Sequence, residues 1–355
     1  MASIVLAYLA TWQPCDLQRI PVEKLTHLCY AFAKVQDGEI VPQGSSDPSM
    51  SNEAYCQHLS EQLRQLKQRN PDLQLLISVG GWSADGFSDA AVSPESRDKL
   101  ARSAIEFIQK YQFDGVDLDW EYPSNDMAGI KARAADKQNF TLLLKALRQQ
   151  LNSAAQRLQR ASYLLTIAAG AGQYYLDGVE IQKVAEQCDF INLMTYDFYN
   201  GWATRAGHHA NLYRASHDPD ADSADHAVQL YLANGIRPEQ LVLGCPFYGR
   251  SLRGVGATGL GAAGQPKTNG TYSYLEIVTE LLPSGRYTRH WDDQARVPWL
   301  FDGDEFISYE DPESIAGKGE YVKQHGLAGA MFWEYTEDPS HALLDALYLS
   351  LQNEM

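Results

Sequence analysis

The sequence of 355 residues contains no uninterrupted apolar run of about 18 residues or more, so no segment reads as a membrane-spanning helix. Its first residues lead straight into a strand-like run at 4–12, without the basic stretch and long apolar core of a secretory signal. The expectation is a chain that stays in the cytoplasm or that lost a signal before this numbering began. Cysteine is scarce. Cys15, Cys29, Cys56, Cys188 and Cys245 are odd in number and widely scattered, with no CxxC or Cys/His spacing. That argues against a disulfide framework and against a zinc site. Positive charge is also short: 29 Lys and Arg stand against 45 Asp and Glu, a net charge of −16. Such a surface repels phosphate backbones, so neither nucleic acid nor a membrane is expected as a partner. A neutral substrate would not notice the charge. There is no internal repeat and no low-complexity segment.

What is there is an alternation. Short apolar runs at 4–12, 26–35, 73–82, 113–122, 163–172, 190–198, 241–250 and 326–335 read as eight strands, rich in Val, Ile, Leu, Phe and Tyr. Amphipathic stretches separate them. Residues 53–69 place Leu59, Leu63 and Leu66 on one face, and 96–111 place Leu100, Ala104, Ile105 and Ile108 at helical spacing. Residues 138–158, 223–234 and 311–324 read as helices too. Strands alternating with helices point to a parallel sheet, and eight of them point to a closed (β/α)₈ TIM barrel. An open doubly wound sheet competes, but its first turn usually carries a glycine-rich phosphate loop. Here that turn is Trp12-Gln13-Pro14-Cys15.

About 75 residues separate the seventh run from the eighth. A structureless loop of that size is implausible. Residues 252–306 are therefore expected to form a small α+β insertion domain, within a barrel of residues 1–251 and 307–355.

The segment Phe113-Asp114-Gly115-Val116-Asp117-Leu118-Asp119-Trp120-Glu121-Tyr122-Pro123 is the most informative. Side chains alternate along a strand, so Asp117, Asp119 and Glu121 share one face, and Val116, Leu118 and Trp120 the other. The apolar face suits a helix layer; the acidic face must point inward. Pro123 is expected to end the strand and place Glu121 at the rim, where barrel enzymes keep their chemistry. Stacked carboxylates repel, and repulsion and burial both raise a carboxyl pKa, as a general acid requires. A Mg²⁺ or Ca²⁺ site would also use clustered carboxylates. Asp114 is out of phase and reads as structural.

This row has the form Asp114-x-x-Asp117-x-Asp119-x-Glu121, which resembles the signature of glycoside hydrolase family 18 chitinases. The resemblance runs nearly end to end. Ser78-Val79-Gly80-Gly81-Trp82, Met194-Thr195-Tyr196-Asp197, Pro246-Phe247-Tyr248-Gly249-Arg250 and Met331-Phe332-Trp333-Glu334 are similar to the family's third-, sixth-, seventh- and eighth-strand motifs. The long insertion is similar to the chitinase insertion domain. One departure is Asn200-Gly201-Trp202, where members often read Gly-Pro-Trp.

The resemblance implies hydrolysis of β-1,4 links between N-acetylglucosamine units, by a substrate-assisted, retaining route. Glu121 would be the general acid and base, Asp119 would orient the acetamide, and Asp117 would tune Asp119. Tyr196 would bond the acetamide oxygen and Asp197 would contact the sugar. Trp333 would floor the cleft, with Trp82, Tyr8, Phe32, Trp202 and Tyr248 as wall candidates, Met194 on the face of Tyr196, and Arg250 on a sugar hydroxyl or a carboxylate. Core packing is the competing use of any single aromatic. No cofactor and no metal is implied. The implied partners are chitin and its oligomers, the chain is expected to be a monomer, and secretion suits a polymer that lies outside the cell. Two other activities would share most of these residues: a chitin-binding lectin without chemistry, and an endo-acting enzyme on glycoprotein glycans.

Overall fold

Helix starts are written locally. Ser93 accepts from the Ser96 amide in a capping box, Pro94 takes the first helical position, and the helix Pro94–Tyr111 ends at Gln112 with φ 62°. The same device opens Pro312–Gln324, where the Asp311 side chain accepts from the amides of Glu313 and Ser314. Asn52–Arg69 is capped by Ser51, and Asp136–Arg157 and Ala224–Ala233 match the expected periodic stretches. The computed structural model describes residues 3–13, 15–43, 51–216, 218, 220–256 and 259–352, and the side chains of Cys56 and Asn269 lie outside that description. Among the described cysteines, Cys29, Cys188 and Cys245 are buried free thiols.

Every expected apolar run contains a strand. In chain order the strands are β1 (Ile4–Ala10), β2 (His27–Gln36), β3 (Glu39–Pro42, outside the expected runs), β4 (Gln74–Gly80), β5 (Gly115–Asp119), β6 (Leu164–Gly170), β7 (Phe190–Met194) and β8 (Leu241–Pro246). There follow β9 (Tyr248–Arg253), β10 (Gln265–Ser273), β11 (Thr288–Asp292), β12 (Val297–Phe301), β13 (Phe306–Ser308) and β14 (Gly329–Trp333). Among the described residues, one sheet runs β1-β14-β8-β7-β6-β5-β4-β2-β3, and β1 also pairs with β2. Eight parallel strands thus close into a (β/α)₈ barrel, with β3 added antiparallel on β2. A second, antiparallel sheet runs β10-β9-β13-β12-β11.

Two expectations about strand ends are corrected. The run 241–250 is two strands in two sheets, parted at Phe247. That residue's amide donates to the Trp333 carbonyl at 2.8 Å and its ring stacks on Phe332 at 4.2 Å. The acidic strand stops at Asp119 rather than at Pro123, because its partner β4 ends at Gly80. There φ is +122°, and the next amide, Gly81, closes on the Asp119 carbonyl at 2.9 Å.

By compactness the chain divides into two units. One comprises Leu6–Asn192 and Asn234–Leu241; the other comprises Met1–Val5, Leu193–Ala233 and Val242–Met355. In the first, Trp120 is buried, stacked on Phe87 at 5.3 Å and edge-on to Phe140 at 5.5 Å. This is the helix layer expected for the apolar face of β5, and burying one such side chain stabilises by about 1.5–3 kcal/mol. Asp114, before β5, accepts from Lys67 at 2.5 Å, from Arg160 at 3.2 Å and from the Leu75 amide at 3.0 Å. In the second unit, buried Glu305, just before β13, takes Lys267 at 2.8 Å and the hydroxyls of Tyr272 and Tyr287 at 3.0 Å. The helix Ala342–Gln352 buries Leu343, Leu344, Leu347 and Leu351 there.

A Cβ added at Gly80 would stand 2.1 Å from the Asp119 carbonyl oxygen. Gly80→Ala is therefore expected to cost about 2–5 kcal/mol, from backbone strain and overpacking together. Thermal unfolding beside the wild type checks this, and an unchanged Tm would refute it.

Candidate active site

Strand register sets the depth of the carboxylate row. β4 and β6 flank β5 so that Ser78, Asp117 and Thr166 lie on one level, with Gly80 beside Asp119 above. The buried Asp117 carboxylate accepts from four side chains. Tyr8 at 3.0 Å and Ser78 at 2.7 Å donate to Oδ2, while Thr166 at 2.6 Å and Asn192 at 3.3 Å donate to Oδ1. Burial still pushes its pKa up, against these four bonds.

Asp119 differs. It is buried, and its Oδ1 has no hydrogen-bond partner among the described residues. Burial, then the charges of Glu121 and Asp117, raise its pKa well above the carboxylate range. Glu121, also buried, sits two residues beyond the strand, and its peptide bond to Tyr122 is cis.

The same unit holds Tyr8, Phe32 and Trp82. Tyr8 is buried, and its hydroxyl donates to Asp117 at 3.0 Å. Phe32 is buried and stacks on Trp12 at 6.1 Å. Trp82 is 47% exposed and edge-on to Tyr122 at 6.4 Å. Trp12, 41% exposed, was not singled out from the sequence; its position just after β1 was the available signal.

The second unit gathers Met194, Tyr196, Asp197, Trp202, Tyr248, Arg250 and Trp333. The Thr195 hydroxyl bridges to Gly244, accepting from its amide at 2.9 Å and donating to its carbonyl at 2.7 Å, and so fixes the end of β7. Tyr196 then stands edge-on to Tyr248 at 6.3 Å. Asp197 follows with φ 60°, a left-handed turn that re-aims its side chain out of strand phase. Arg250 takes it in a fork, Nε to Oδ1 at 2.7 Å and Nη2 to Oδ2 at 2.6 Å. Burial works to raise the Asp197 carboxyl, but His209 and Arg250 outweigh it and hold the group below the usual range. Trp333 ends β14 half-buried, and Trp202 is 63% exposed on the loop after β7. Glu337, near Glu334, Glu276 and Arg250, is raised to about 7 by burial and then by those two glutamates.

Among the described residues, no group of three His, Cys, Asp or Glu could hold a metal ion, and no helix is long and apolar enough to cross a membrane. The first unit offers buried carboxyls, of which Asp117 and Asp119 have raised pKa values, and the exposed ring of Trp82. Those are the means for acid catalysis on a sugar, whose C–H edges pack on rings.

Residues 4–338 match the family described as Glycosyl hydrolases family 18. Chitinase A1 of Niallia circulans is 41% identical over 309 residues, which is 82% of this chain and 44% of that protein. This chain thus spans less than half the length of that relative. A family 18 N-acetylglucosaminidase from Paenibacillus barengoltzii is similar in structure, with TM-score 0.89, 41% identity, and 98% of this chain and 99% of that one covered. Human YKL-39, described as a pseudo-chitinase with retained chitooligosaccharide binding, is similar with TM-score 0.88 at 25% identity, covering 99% of this chain and 100% of that one.

Proposed function

The chain belongs to glycosyl hydrolase family 18, and we propose on that premise that it hydrolyses β-1,4 links in chitin and N-acetylglucosamine oligomers, with Glu121 as general acid and base. The observation that carries this is the graded carboxylate row. Asp117 is saturated with donors, Asp119 is proton-loving with an unpartnered oxygen, and Glu121 ends the row.

In this reading Glu121 gives its proton to the glycosidic oxygen, and the leaving sugar departs as an alcohol. The substrate's acetamide oxygen closes on C1 and forms an oxazolinium-type intermediate. Water then adds to C1 and returns its proton to Glu121, with net retention. Asp119 orients the acetamide and stabilises the positive charge that develops on it. Asp117 tunes Asp119 by competing for the proton, and Tyr8 supports Asp117.

Tyr196 bonds the acetamide oxygen and Asp197 contacts the sugar, oriented by Arg250. Trp333 and Trp82 offer ring faces, with Phe32, Met194, Trp202 and Tyr248 as further sugar contacts. Residues 252–306 are taken as an insertion domain that favours longer oligomers. Chitin lies outside the cell, so the reading carries secretion with it.

The test is product analysis on N-acetylglucosamine oligomers of several lengths, with anomers followed by proton NMR. Short oligomers with the β-anomer first are expected. The α-anomer first would exclude the substrate-assisted route. Binding without any release of reducing ends would make the protein a lectin instead, and release of glycans from a glycoprotein with little action on oligomers would make it an endo-acting glycoprotein enzyme.

A further inference from the structure

His209 is a buried titratable group that the proposed chemistry leaves unused. Its side chain is 0% exposed. Its backbone is held on both sides: the amide donates to the Ser308 hydroxyl at 2.9 Å, and the carbonyl accepts from the Phe198 amide at 3.0 Å. The ring lies against Tyr248, with centroids 5.4 Å apart. Neither ring nitrogen has a hydrogen-bond partner among the described residues. Nδ1 stands 3.6 Å from Asp197 Oδ1, short of a formed bond.

A buried imidazole with both nitrogens unpaired is costly, and a native fold that keeps one calls for a reason. The charged and titratable groups around it are Asp197, Arg250, Tyr248 and Lys318. Burial lowers its pKa, opposed by Asp197 and reinforced by Arg250 and Lys318, which favours the neutral ring. Asp197 is the acceptor that stands nearest. Its carboxylate is already gripped by Arg250 through both oxygens and sits on a backbone with positive φ, so a small shift is the motion left to it.

We propose that His209 is the positioning residue of Asp197: its Nδ1–H closes on Oδ1 when the sugar engages the carboxylate, and together with the Arg250 fork it fixes the direction in which Asp197 meets the substrate. Bonds of this kind are commonly long in the unliganded enzyme and tighten in the complex. The inference rests on the reading of Asp197 as a sugar contact. His209 itself touches no reacting atom.

Two variants and one spectroscopic reading test it. His209→Phe keeps a flat ring and removes the donor; His209→Asn keeps a donor. On N-acetylglucosamine oligomers, kcat/KM is expected to fall about tenfold in His209→Phe, the worth of one hydrogen bond to a charged group, and to recover to within about threefold in His209→Asn. The Tm of His209→Phe should stay level or rise, since two orphaned nitrogens are gone. With an N-acetylglucosamine oligomer bound, the His209 Nδ1 proton is expected downfield in ¹H–¹⁵N spectra of the otherwise wild-type protein and upfield of that in Asp197→Asn. A His209→Phe enzyme with wild-type kcat/KM overturns the proposal, as does a parallel loss of activity and Tm that His209→Asn does not recover. If the wild type cleaves no oligomer, the functional reading fails by itself. The Nδ1 proton of the oligomer-bound protein then decides the inference, and an unmoved signal in Asp197→Asn sinks it.

Discussion

Glu121→Gln is expected to slow hydrolysis of N-acetylglucosamine oligomers at least ~10²-fold while leaving their binding in place, because the change removes the titratable proton and nearly keeps the shape. The effect should fall on kcat, since the proton is needed only once the glycosidic oxygen begins to leave. The row predicts more than a loss. Glu121 is among the charges that hold the Asp119 pKa up. With a neutral amide in its place, Asp119 gives up its proton more readily, so any residual activity should show an altered pH profile. Steady-state kinetics across pH, with calorimetry for binding, provide the check. A variant that retains more than a tenth of wild-type kcat would remove Glu121 from the role of acid.

The largest effect on stability is expected from Lys318→Met. Lys318 and Glu310 form an ion pair in which both side chains are sealed from solvent. Removing one partner leaves the other charge buried and uncompensated, at a cost of about 3–5 kcal/mol. Glu310 Oε2 already lacks a hydrogen-bond partner among the described residues. Burial raises the Glu310 pKa even with Lys318 present, and without Lys318 it rises further. A carboxyl whose folded pKa lies above its unfolded one binds more protons when folded. Its penalty is therefore complete above the folded pKa and relieved below the ordinary glutamate range. The variant should thus be most destabilised at neutral pH and approach the wild type as pH falls. Lys318→Met combined with Glu310→Gln should recover much of the loss. Denaturant unfolding at several pH values measures both, and a loss equally large at every pH would contradict the account.

Much of this architecture is legible in the sequence, because hydrophobic period and capping are local. The eight apolar runs and the helix beginning at Ser93-Pro94 need no tertiary information. The misreadings have tertiary causes. Residues 241–250 look like one strand because nothing in the apolar run marks where Phe247 leaves one sheet for contact with Phe332. β3 is four residues long, too short for a period to show. At the site, alternation along β5 was enough to put Asp117 and Asp119 on one face and Trp120 on the other. What alternation could not supply is the difference between the two aspartates. Tyr8, Ser78, Thr166 and Asn192 come from four different strands to saturate one carboxylate, and only the barrel brings them together. His209 is hidden for the same reason, because its partner lies twelve residues away across a loop.

The first aspartate of the acidic motif works at the other end of its strand from the last carboxylate. Asp114 ties β5 to Lys67, Arg160 and the start of β4, while Glu121 stands past the strand's exit. One short motif therefore encodes both a folding anchor and a chemical group. In a cell the two would fail differently. On the proposed reading, a lesion at Glu121 would leave a full complement of inert protein, whereas a lesion at Asp114 would act through the amount of folded protein that survives quality control. An activity assay alone would score the two alike, and only the quantity of protein recovered would tell them apart.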